Sequence, residues 1–272
     1  MARKALDLSG RRFGRLVAIE SSYKLITING GMVLSGEKPM NKGTVISLCD
    51  LTGIMVQPWV ESGYRAVLVD PQHKEQSNQG GVERLPFTIL DAMPRLSEII
   101  KNENVVFVFG FPPCTDVAVS GAAHFESKRQ KDHHFQAKAA LVAEQCRVVG
   151  MACGCPWGFE NPVSVFSGIF GKPNYSFHPY EYGQYLPEDD NHPQYPEYIK
   201  PRDAYPKKTC LWVGGGFVMP EKMPVDIAPG YSDQHKKLGG KSDRTKNIRS
   251  ATPRGFAKAV FLANAPHIKS YA

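Results

Sequence analysis

The chain has 272 residues, 42% of them hydrophobic and 22% charged, a composition typical of globular proteins with a sizeable core. It contains no apolar run of about 18 residues and no apolar segment near its start, so we expect neither a membrane span nor a secretory signal. The net charge is +7, with eight basic and three acidic residues in residues 1–44 and eight and one in residues 234–258. These two segments either keep the protein soluble or contact an anionic partner such as DNA.

The six cysteines suggest neither a disulfide framework nor a metal site. In a chain without an export signal they are expected to be free thiols in a reducing compartment, which predicts a cytoplasmic protein. Cys153 and Cys155 are separated by one glycine, too tight for the usual zinc-binding pair, and no second pair follows. The sequence therefore predicts no bound metal.

Residues 1–44 are glycine-rich, basic and poorly periodic, which predicts an N-terminal arm or appendage. The apolar run 45–49 is typical of a buried strand. A helix over residues 56–63, with a proline in its first turn, and a strand over residues 64–69 complete a βαβ unit. This unit opens the region 45–272, which we expect to carry the activity.

The polar residues 72–83 are predicted to form a loop, and residues 85–90 a short edge strand that ends at Asp91. A helix is predicted over residues 93–101. The apolar run 105–110 that follows is typical of a buried parallel strand.

Helical spacing of apolar residues predicts a helix over residues 130–150, and a further strand runs into residues 157–162. Residues 164–250 are expected to form an irregular segment. It contains one strand, over residues 209–213, and a basic loop over residues 232–249.

A closing helix is predicted over residues 252–263, with Thr252 as its N-cap and Pro253 at its first helical position. Strands alternate with helices through the first two thirds of the chain. The sequence therefore predicts an α/β fold with a mostly parallel sheet and helices on both faces.

The clearest chemical signature directly follows the strand predicted over residues 105–110. It reads Phe-Pro-Pro-Cys-Thr-Asp, so Cys114 lies just beyond the carboxyl end of a buried strand, in a loop that two prolines restrict. Ligands of open α/β sheets bind at that end. A cysteine in this position is better explained as a nucleophile than as a core residue.

Three acids, Asp50, Asp70 and Asp91, are each predicted to follow a strand. Acids in such positions suit the polar edge of a bound nucleoside, and Asp70 is placed to accept hydrogen bonds from ribose hydroxyls. Gly53 leaves room for a ligand beside the backbone. The alternative is that these acids cap helices and form turns.

Four segments, in this order, resemble motifs of the C5-cytosine DNA methyltransferases. Residues 47–53 resemble the S-adenosylmethionine motif, and residues 64–70 are similar to the next strand with its ribose-binding acid. Residues 110–121 resemble the Pro-Cys catalytic loop, and residues 159–163 resemble the Glu-Asn-Val motif. The resemblance implies a Rossmann-like, S-adenosylmethionine-dependent methyltransferase fold.

Two further segments strengthen the resemblance. Residues 252–260 are similar to the last helix of the family, and Lys-Lys-Thr-Cys-Leu-Trp at residues 207–212 resembles its compact, phage-type branch. A bacterial or phage-infected cell is therefore the implied setting.

The resemblance implies the chemical roles of three residues. Cys114 would add to C6 of cytosine, which activates C5 toward the methyl group. Glu160 would protonate N3 and bind the exocyclic amine, a role suited to a carboxyl whose pKa is raised by an apolar site. Asn161 would fix the loop or the base.

The implied methyl donor is S-adenosylmethionine, and the implied partner is duplex DNA with the target cytosine turned out of the helix. We expect the protein to act as a monomer. The residues expected at the cofactor are Asp50, Leu51, Thr52, Gly53, Asp70, Asp91 and Pro112. Those expected at the substrate are Ser120, Lys207, Lys208, Arg244 and Arg249.

The chain departs from the family in two ways. The Gln-x-Arg-x-Arg motif, whose arginine contacts the base O2, is absent, and Lys207, Lys208, Arg244 or Arg249 would have to replace it. In addition, residues 164–250 stand in place of a full target recognition domain. Two alternatives therefore remain open: C5 modification of a pyrimidine nucleotide or unusual pyrimidine, and a catalytically silent DNA-binding homologue.

Overall fold

The structure is a computed structural model that describes residues 42–230, 232–239 and 242–266, and the backbone of four short strands before them. The chain forms two compact units, residues 1–42 and 43–272. The first contains two antiparallel hairpins, β1 (Arg12–Phe13) with β2 (Leu16–Val17) and β3 (Tyr23–Ile28) with β4 (Gly31–Gly36). The side chains of residues 1–41 lie outside the description, as does any DNA contact of the predicted arm.

The second unit is built on one sheet of eight strands in the order β11-β12-β10-β9-β5-β6-β8-β7. Neighbouring strands from β10 to β8 are parallel, and β12, β11 and β7 pair antiparallel. The strands are β5 (Thr44–Leu48), β6 (Arg65–Val69), β7 (Ser77–Gln79), β8 (Val82–Leu85), β9 (Val105–Gly110), β10 (Trp157–Pro162), β11 (Tyr175–Phe177) and β12 (Thr209–Gly214).

Helices connect and cover these strands. They are α1 (Gln57–Glu61), α2 (Ile89–Asn102), α3 (Phe125–Lys131), α4 (Phe135–Cys153), α5 (Phe166–Ile169), α6 (Asp233–Lys237), α7 (Asp243–Ser250) and α8 (Arg254–Asn264). In the described part of the chain, three 3₁₀ helices span Val119–His124, Pro179–Tyr185 and Pro201–Asp203.

The buried side chains form a large cluster on each face of the sheet. On one face, Leu96 of α2 and Ala143 of α4 pack with Val108 of β9. On the other, Trp59 of α1 stacks on the neighbouring β9 residue Phe107 at a centroid distance of 4.9 Å, and α8 packs beside them. The two faces of β9 are thus both buried, as expected for a central parallel strand. The predicted α/β fold with a mostly parallel sheet and helices is confirmed.

The edge strand predicted over residues 85–90 is wrong. The strand β8 already ends at Leu85, and α2 begins at Ile89 with Thr88 as its N-cap, whose Oγ1 accepts the Asp91 N–H at 3.2 Å. Asp91 therefore lies in the first turn of a helix rather than at a strand end. The loop predicted over residues 72–83 is also wrong, because it contains the β7–β8 hairpin.

The basic loop predicted over residues 232–249 instead forms two short helices, α6 and α7. The side chain of Ser242 caps α7 by accepting the Thr245 N–H, a local signal that overrides the absence of an apolar stripe. The predicted start of the closing helix is shifted by one residue, since Pro253 rather than Thr252 is the N-cap of α8.

Candidate functional site

The candidate site lies where the order of the parallel strands reverses. The chain runs from β5 outward to β6 and β8, and then returns to the opposite side of β5 to form β9 and β10. In open α/β sheets such a switch point leaves a crevice beyond the carboxyl ends of the two central strands, and ligands bind there. Residues 49–53 follow β5 and residues 111–118 follow β9; we call them the Asp50 turn and the Cys114 loop.

Asp50 holds the turn that follows β5. Its Oδ1 accepts hydrogen bonds from Thr52 N at 3.0 Å and Gly53 N at 2.7 Å, and its Oδ2 accepts one from Ser47 Oγ at 2.7 Å. Gly53 has a φ of 71°, and a Cβ at this position would lie 2.9 Å from a methyl carbon of Leu68. The Asp50 carboxylate is engaged by its own turn, so the turn offers a ligand mainly its backbone.

Two buried polar side chains follow β6. Asp70 is 5% exposed, and its Oδ1 accepts the Gln72 N–H at 2.8 Å. His73 is 8% exposed, and its Nε2 has no hydrogen-bond partner among the described residues. Burial raises the pKa of Asp70 and lowers the pKa of His73, so the imidazole is neutral near pH 7. Together they place a carboxyl acceptor and a buried ring nitrogen just beyond the end of β6.

The Cys114 loop is fastened to the sheet at its start. The Phe111 N–H donates to the Leu48 carbonyl at 2.9 Å, which continues the pairing of β9 with β5. Asn161 of β10 donates from Nδ2 to the Pro112 carbonyl, also at 2.9 Å. The predicted loop-fixing role of Asn161 thus has a direct contact behind it, because this amide ties β10 to the loop that carries Cys114.

The end of the loop is also tied to the residues that follow β10. The Val119 N–H donates to the Val163 carbonyl at 2.9 Å, and the Val165 N–H donates to the Val117 carbonyl at 3.0 Å. These bonds form a small antiparallel bridge on the far side of Cys114. Both ends of the loop are therefore anchored to the same segment as Glu160.

Glu160 lies on β10 and lines a narrow, partly open pocket together with Phe111, Phe177 and Lys207. Its Oε2 is fully buried and accepts no hydrogen bond from the part of the chain that the structure describes. Burial raises the pKa of Glu160, and the nearby charge of Lys207 only partly opposes this. A buried carboxyl oxygen left without a donor is costly for folding, which points to a ligand that completes its bonding.

Cys114 is half-buried beside these groups. Burial raises the pKa of its thiol, and the carboxylate of Glu160 raises it further, whereas Lys207 lowers it. Protonation of Glu160 removes its negative charge, which is one of the two effects that raise the pKa of the Cys114 thiol. The site therefore brings together the Cys114 thiol, the Glu160 carboxyl with its raised pKa, and the positive charge of Lys207.

The predicted residues that the structure brings together share one edge of the sheet. Each ends or follows a parallel strand; they are Asp50, Asp70, Cys114, Glu160 and Asn161. Lys207 joins them because β12 runs antiparallel to β10 and so begins at the same edge, with Thr209 opposite Pro162. Leu51, Thr52 and Gly53 form the Asp50 turn, and Pro112 begins the Cys114 loop.

Five other predicted residues lie at the surface instead. Ser120 is exposed in the 3₁₀ helix after the Cys114 loop, and Lys208 is exposed beside Lys207. Asp91 is exposed at the start of α2, and its predicted cofactor contact loses the strand-end position that motivated it. Arg244 and Arg249 are exposed on α7, where the Arg249 carbonyl accepts the Lys207 ammonium at 2.8 Å.

Two residues of the site were missed by the sequence reasoning. His73 follows Asp70 by three residues, but its burial depends on the tertiary fold. Lys128 of α3 donates from Nζ to the Thr115 carbonyl and to Asp116 Oδ1, both at 2.7 Å, and so buttresses the Cys114 loop. No local pattern predicts this contact, which arises from α3 folding back on the loop.

In the described ranges no helix is long and apolar enough to cross a membrane, and no three His, Cys, Asp or Glu side chains are grouped as metal ligands. No protein-family model matches the chain, and no curated protein is significantly similar to it. Function must therefore be argued from the chemistry of the site.

Proposed function

We propose that the protein transfers a methyl group from S-adenosylmethionine to C5 of cytosine in DNA. One observation carries the proposal: Cys114 follows β9, Glu160 lies near the end of the neighbouring parallel strand β10, and a buried oxygen of Glu160 finds no donor among the described residues. A nucleophile beside a proton-bearing carboxyl is what addition to a pyrimidine ring requires.

The role of Cys114 follows from the chemistry of cytosine, whose C5 is a weak nucleophile. Bond formation between Cys114 Sγ and C6, as N3 takes a proton, turns C5 into an electron-rich enamine carbon. After C5 has been methylated, loss of its proton and cleavage of the S–C6 bond restore the ring. S-Adenosylmethionine supplies the electrophilic methyl group when bound.

Glu160 serves this addition as the acid at N3. Its raised pKa favours the protonated form in the apolar cavity, and the same carboxyl can accept a hydrogen bond from the exocyclic amine of cytosine. Proton donation leaves a carboxylate next to Lys207, whose positive charge stabilises it. Lys207 is also the best placed of the four predicted basic residues to contact the base O2, because it alone of them lines the Glu160 cavity.

The crevice residues fit an adenosyl group. Asp70 and His73 present a buried acceptor and a ring nitrogen with no partner in the described chain, which suits a pair of ribose hydroxyls. The Asp50 turn would present its backbone, because the Asp50 carboxylate is engaged within the turn. These residues would hold the cofactor beyond β5 and β6, and the Cys114 loop would hold the base beyond β9 and β10.

DNA is proposed as the partner because basic side chains accompany the site. Arg244 and Arg249 are exposed on α7, and the carbonyl at the end of this helix holds the Lys207 ammonium that lines the cavity. Phosphate contacts by such exposed cations orient a protein on DNA without reading its sequence.

The test is methyl transfer from tritiated S-adenosylmethionine, offered with duplex DNA and with dCMP in parallel. We expect label in DNA that is recovered as 5-methylcytosine, no label with Cys114→Ala, and full activity with Cys153→Ala, a matched control at the opposite end of β10. If folded protein that binds the cofactor labels neither substrate, the proposed methyltransferase activity is refuted. Label in dCMP alone would make the substrate a nucleotide.

A further inference from the structure

A pair of thiols lies directly beneath the candidate site. Cys49 follows β5, and Cys146 projects from α4 toward the sheet; both are free thiols. Leu48, next to Cys49, pairs with Gly110 of β9. Cys146 Sγ packs against Gly110, so the two cysteines are neighbours. Both belong to the packing layer between α4 and the sheet. They are separated by almost a hundred residues of sequence, so only the fold brings them together.

The thiol pair contacts both segments that build the site. Cys49 directly precedes Asp50 and has a φ of 55°, a left-handed conformation that is uncommon for a residue with a side chain. Cys146 Sγ packs against Gly110, where a Cβ would lie only 2.6 Å from the sulfur. Gly110 is the last residue of β9 and leads into the Cys114 loop, so any movement of the sulfurs acts on both segments.

The two thiols differ in access. Cys49 is partly exposed, whereas Cys146 is 2% exposed, and burial keeps the pKa of Cys146 well above its ordinary range. A small oxidant therefore reaches Cys49 first, and the neighbouring Cys146 can attack the oxidised Cys49 sulfur as it gives up its own proton. This division into an accessible and a resolving thiol is typical of reversible oxidation sites.

We propose that Cys49 and Cys146 are a peroxide-sensitive modification site that forms a reversible disulfide and closes the cofactor crevice. Cys49 Sγ attacks the peroxide O–O bond, which yields a sulfenic acid and water. Cys146 Sγ then attacks the oxidised sulfur, the S–O bond breaks, and the thiol proton leaves with the hydroxyl group as a second water. The two thiols lose two electrons, and the peroxide gains them.

The effect on the site follows from distance. Bonded sulfurs lie about 2 Å apart, closer than two separate thiols approach, so we expect disulfide formation to draw Cys49 and Cys146 together. Because these residues adjoin the Asp50 turn and Gly110, the proposal predicts that the Asp50 turn or the start of the Cys114 loop moves when the bond forms. The effect on cofactor affinity rests on the proposed function, whereas formation of the disulfide does not.

The test begins with peptide mapping of protein treated with hydrogen peroxide and then with an alkylating reagent, in a Cys114→Ala background that removes the proposed nucleophile. We expect a peptide pair linked through Cys49 and Cys146 that dithiothreitol releases. Absence of this linkage, or linkage of either cysteine mainly to another thiol, would overturn the proposal.

The consequence is measured in the same background as S-adenosylmethionine affinity and as hydrogen exchange of residues 49–54. Peroxide should weaken binding about tenfold, equivalent to about 1.4 kcal/mol, and change exchange in that segment, both reversibly. Adding Cys146→Ala, or separately Cys49→Ser, should abolish the response, whereas Cys153→Ser, which alters a free thiol at the opposite end of β10 from the candidate site, should retain it. The proposed effect on cofactor binding would be refuted if peroxide still weakened binding in both cysteine variants. It would also be refuted if the disulfide formed without any change in hydrogen exchange of residues 49–54.

Discussion

Glu83 on β8 is buried and Glu160 on β10 is half-buried in the same sheet, and their carboxyl groups have opposite surroundings. Glu83 forms ion pairs with Arg65 and Arg95, the latter from Nε at 2.9 Å. Burial opposes its ionisation, but the hydrogen bonds and charges of the two arginines outweigh this and lower its pKa. Glu160 has a raised pKa, and within the described residues its Oε2 has no donor.

This difference separates a carboxylate that serves the fold from one that serves a ligand. Buried charges in proteins are normally paired, because an unpaired charge loses several kcal/mol of hydration. Glu83 follows that rule and ties β8 to the neighbouring elements. Glu160 departs from it at the carboxyl edge of the central strands, which is the edge where ligands of open α/β sheets bind.

The largest effect is expected from Glu160→Gln. Loss of the acid at N3 should lower kcat for methyl transfer by about a thousandfold, within the range of general acid catalysis. Initial rates with duplex DNA and saturating cofactor measure it. Glu160→Gln activity within threefold of the unmodified protein would remove Glu160 from the mechanism.

The same substitution should not weaken the fold. The folded-state pKa of Glu160 is raised, so the unmodified protein loses stability as pH rises through that pKa. Gln does not ionise, and Glu160→Gln should therefore be at least as stable at pH 8 in urea unfolding. A clear destabilisation at pH 8 would instead identify Glu160 as a structural residue.

Glu83→Gln should show the reverse pattern. Removing the carboxylate leaves Arg65 and Arg95 with a weaker partner near the sheet and should destabilise the fold by about 3 kcal/mol. The activity per folded molecule should stay unchanged because β8 carries none of the proposed catalytic groups. Urea midpoints and single-turnover rates separate the two effects, and a large fall in the rate of folded protein would contradict the contrast.

Asp203 resembles Glu83 in having a hydrogen-bond donor and resembles Glu160 in having a raised pKa. It is 1% exposed, accepts the Gly255 N–H at 2.9 Å, and burial raises its pKa to about 6. Stability should therefore fall between about pH 4 and 6 as this carboxyl ionises in the unfolded chain before the folded one. Because Asn does not ionise, Asp203→Asn should reduce the loss of unfolding free energy between pH 4.5 and pH 8 by about 2 kcal/mol. Urea unfolding at the two pH values measures this difference. An unchanged pH profile would show that Asp203 ionises normally.

The smallest effect concerns the exposed cations. Arg244→Gln combined with Arg249→Gln should reduce the slope of log affinity for DNA against log salt by about two, with a modest loss of affinity at low salt. Lys101→Gln, an exposed residue of α2, is the matched control. Equal slopes for all three proteins, measured by fluorescence anisotropy, would exclude α7 as a phosphate-binding surface.

The central strands β5 and β9 were predictable because β9 is a continuous apolar run and the apolar run of residues 45–49 is broken only by Ser47. Parallel strands then bring the residues after each of them to one edge, which places Asp50 near Cys114 and Glu160. The error at residues 85–90 arose because an apolar run of that length fits either a strand or the start of a helix. Thr88 favours the helix because its side chain caps the first turn of α2. His73 and Lys128 depend on tertiary contacts that no local pattern encodes.

The most direct test of the account is covalent trapping on duplex DNA that contains 5-fluorocytosine, in the presence of S-adenosylmethionine. Fluorine at C5 blocks the final proton loss, so the thioether bond to C6 should persist, survive denaturation and map by mass spectrometry to the peptide with Cys114. Cys114→Ala should give no adduct, and Cys153→Ala should give the full amount. An adduct that persists in Cys114→Ala, or that maps to another cysteine, would contradict the account.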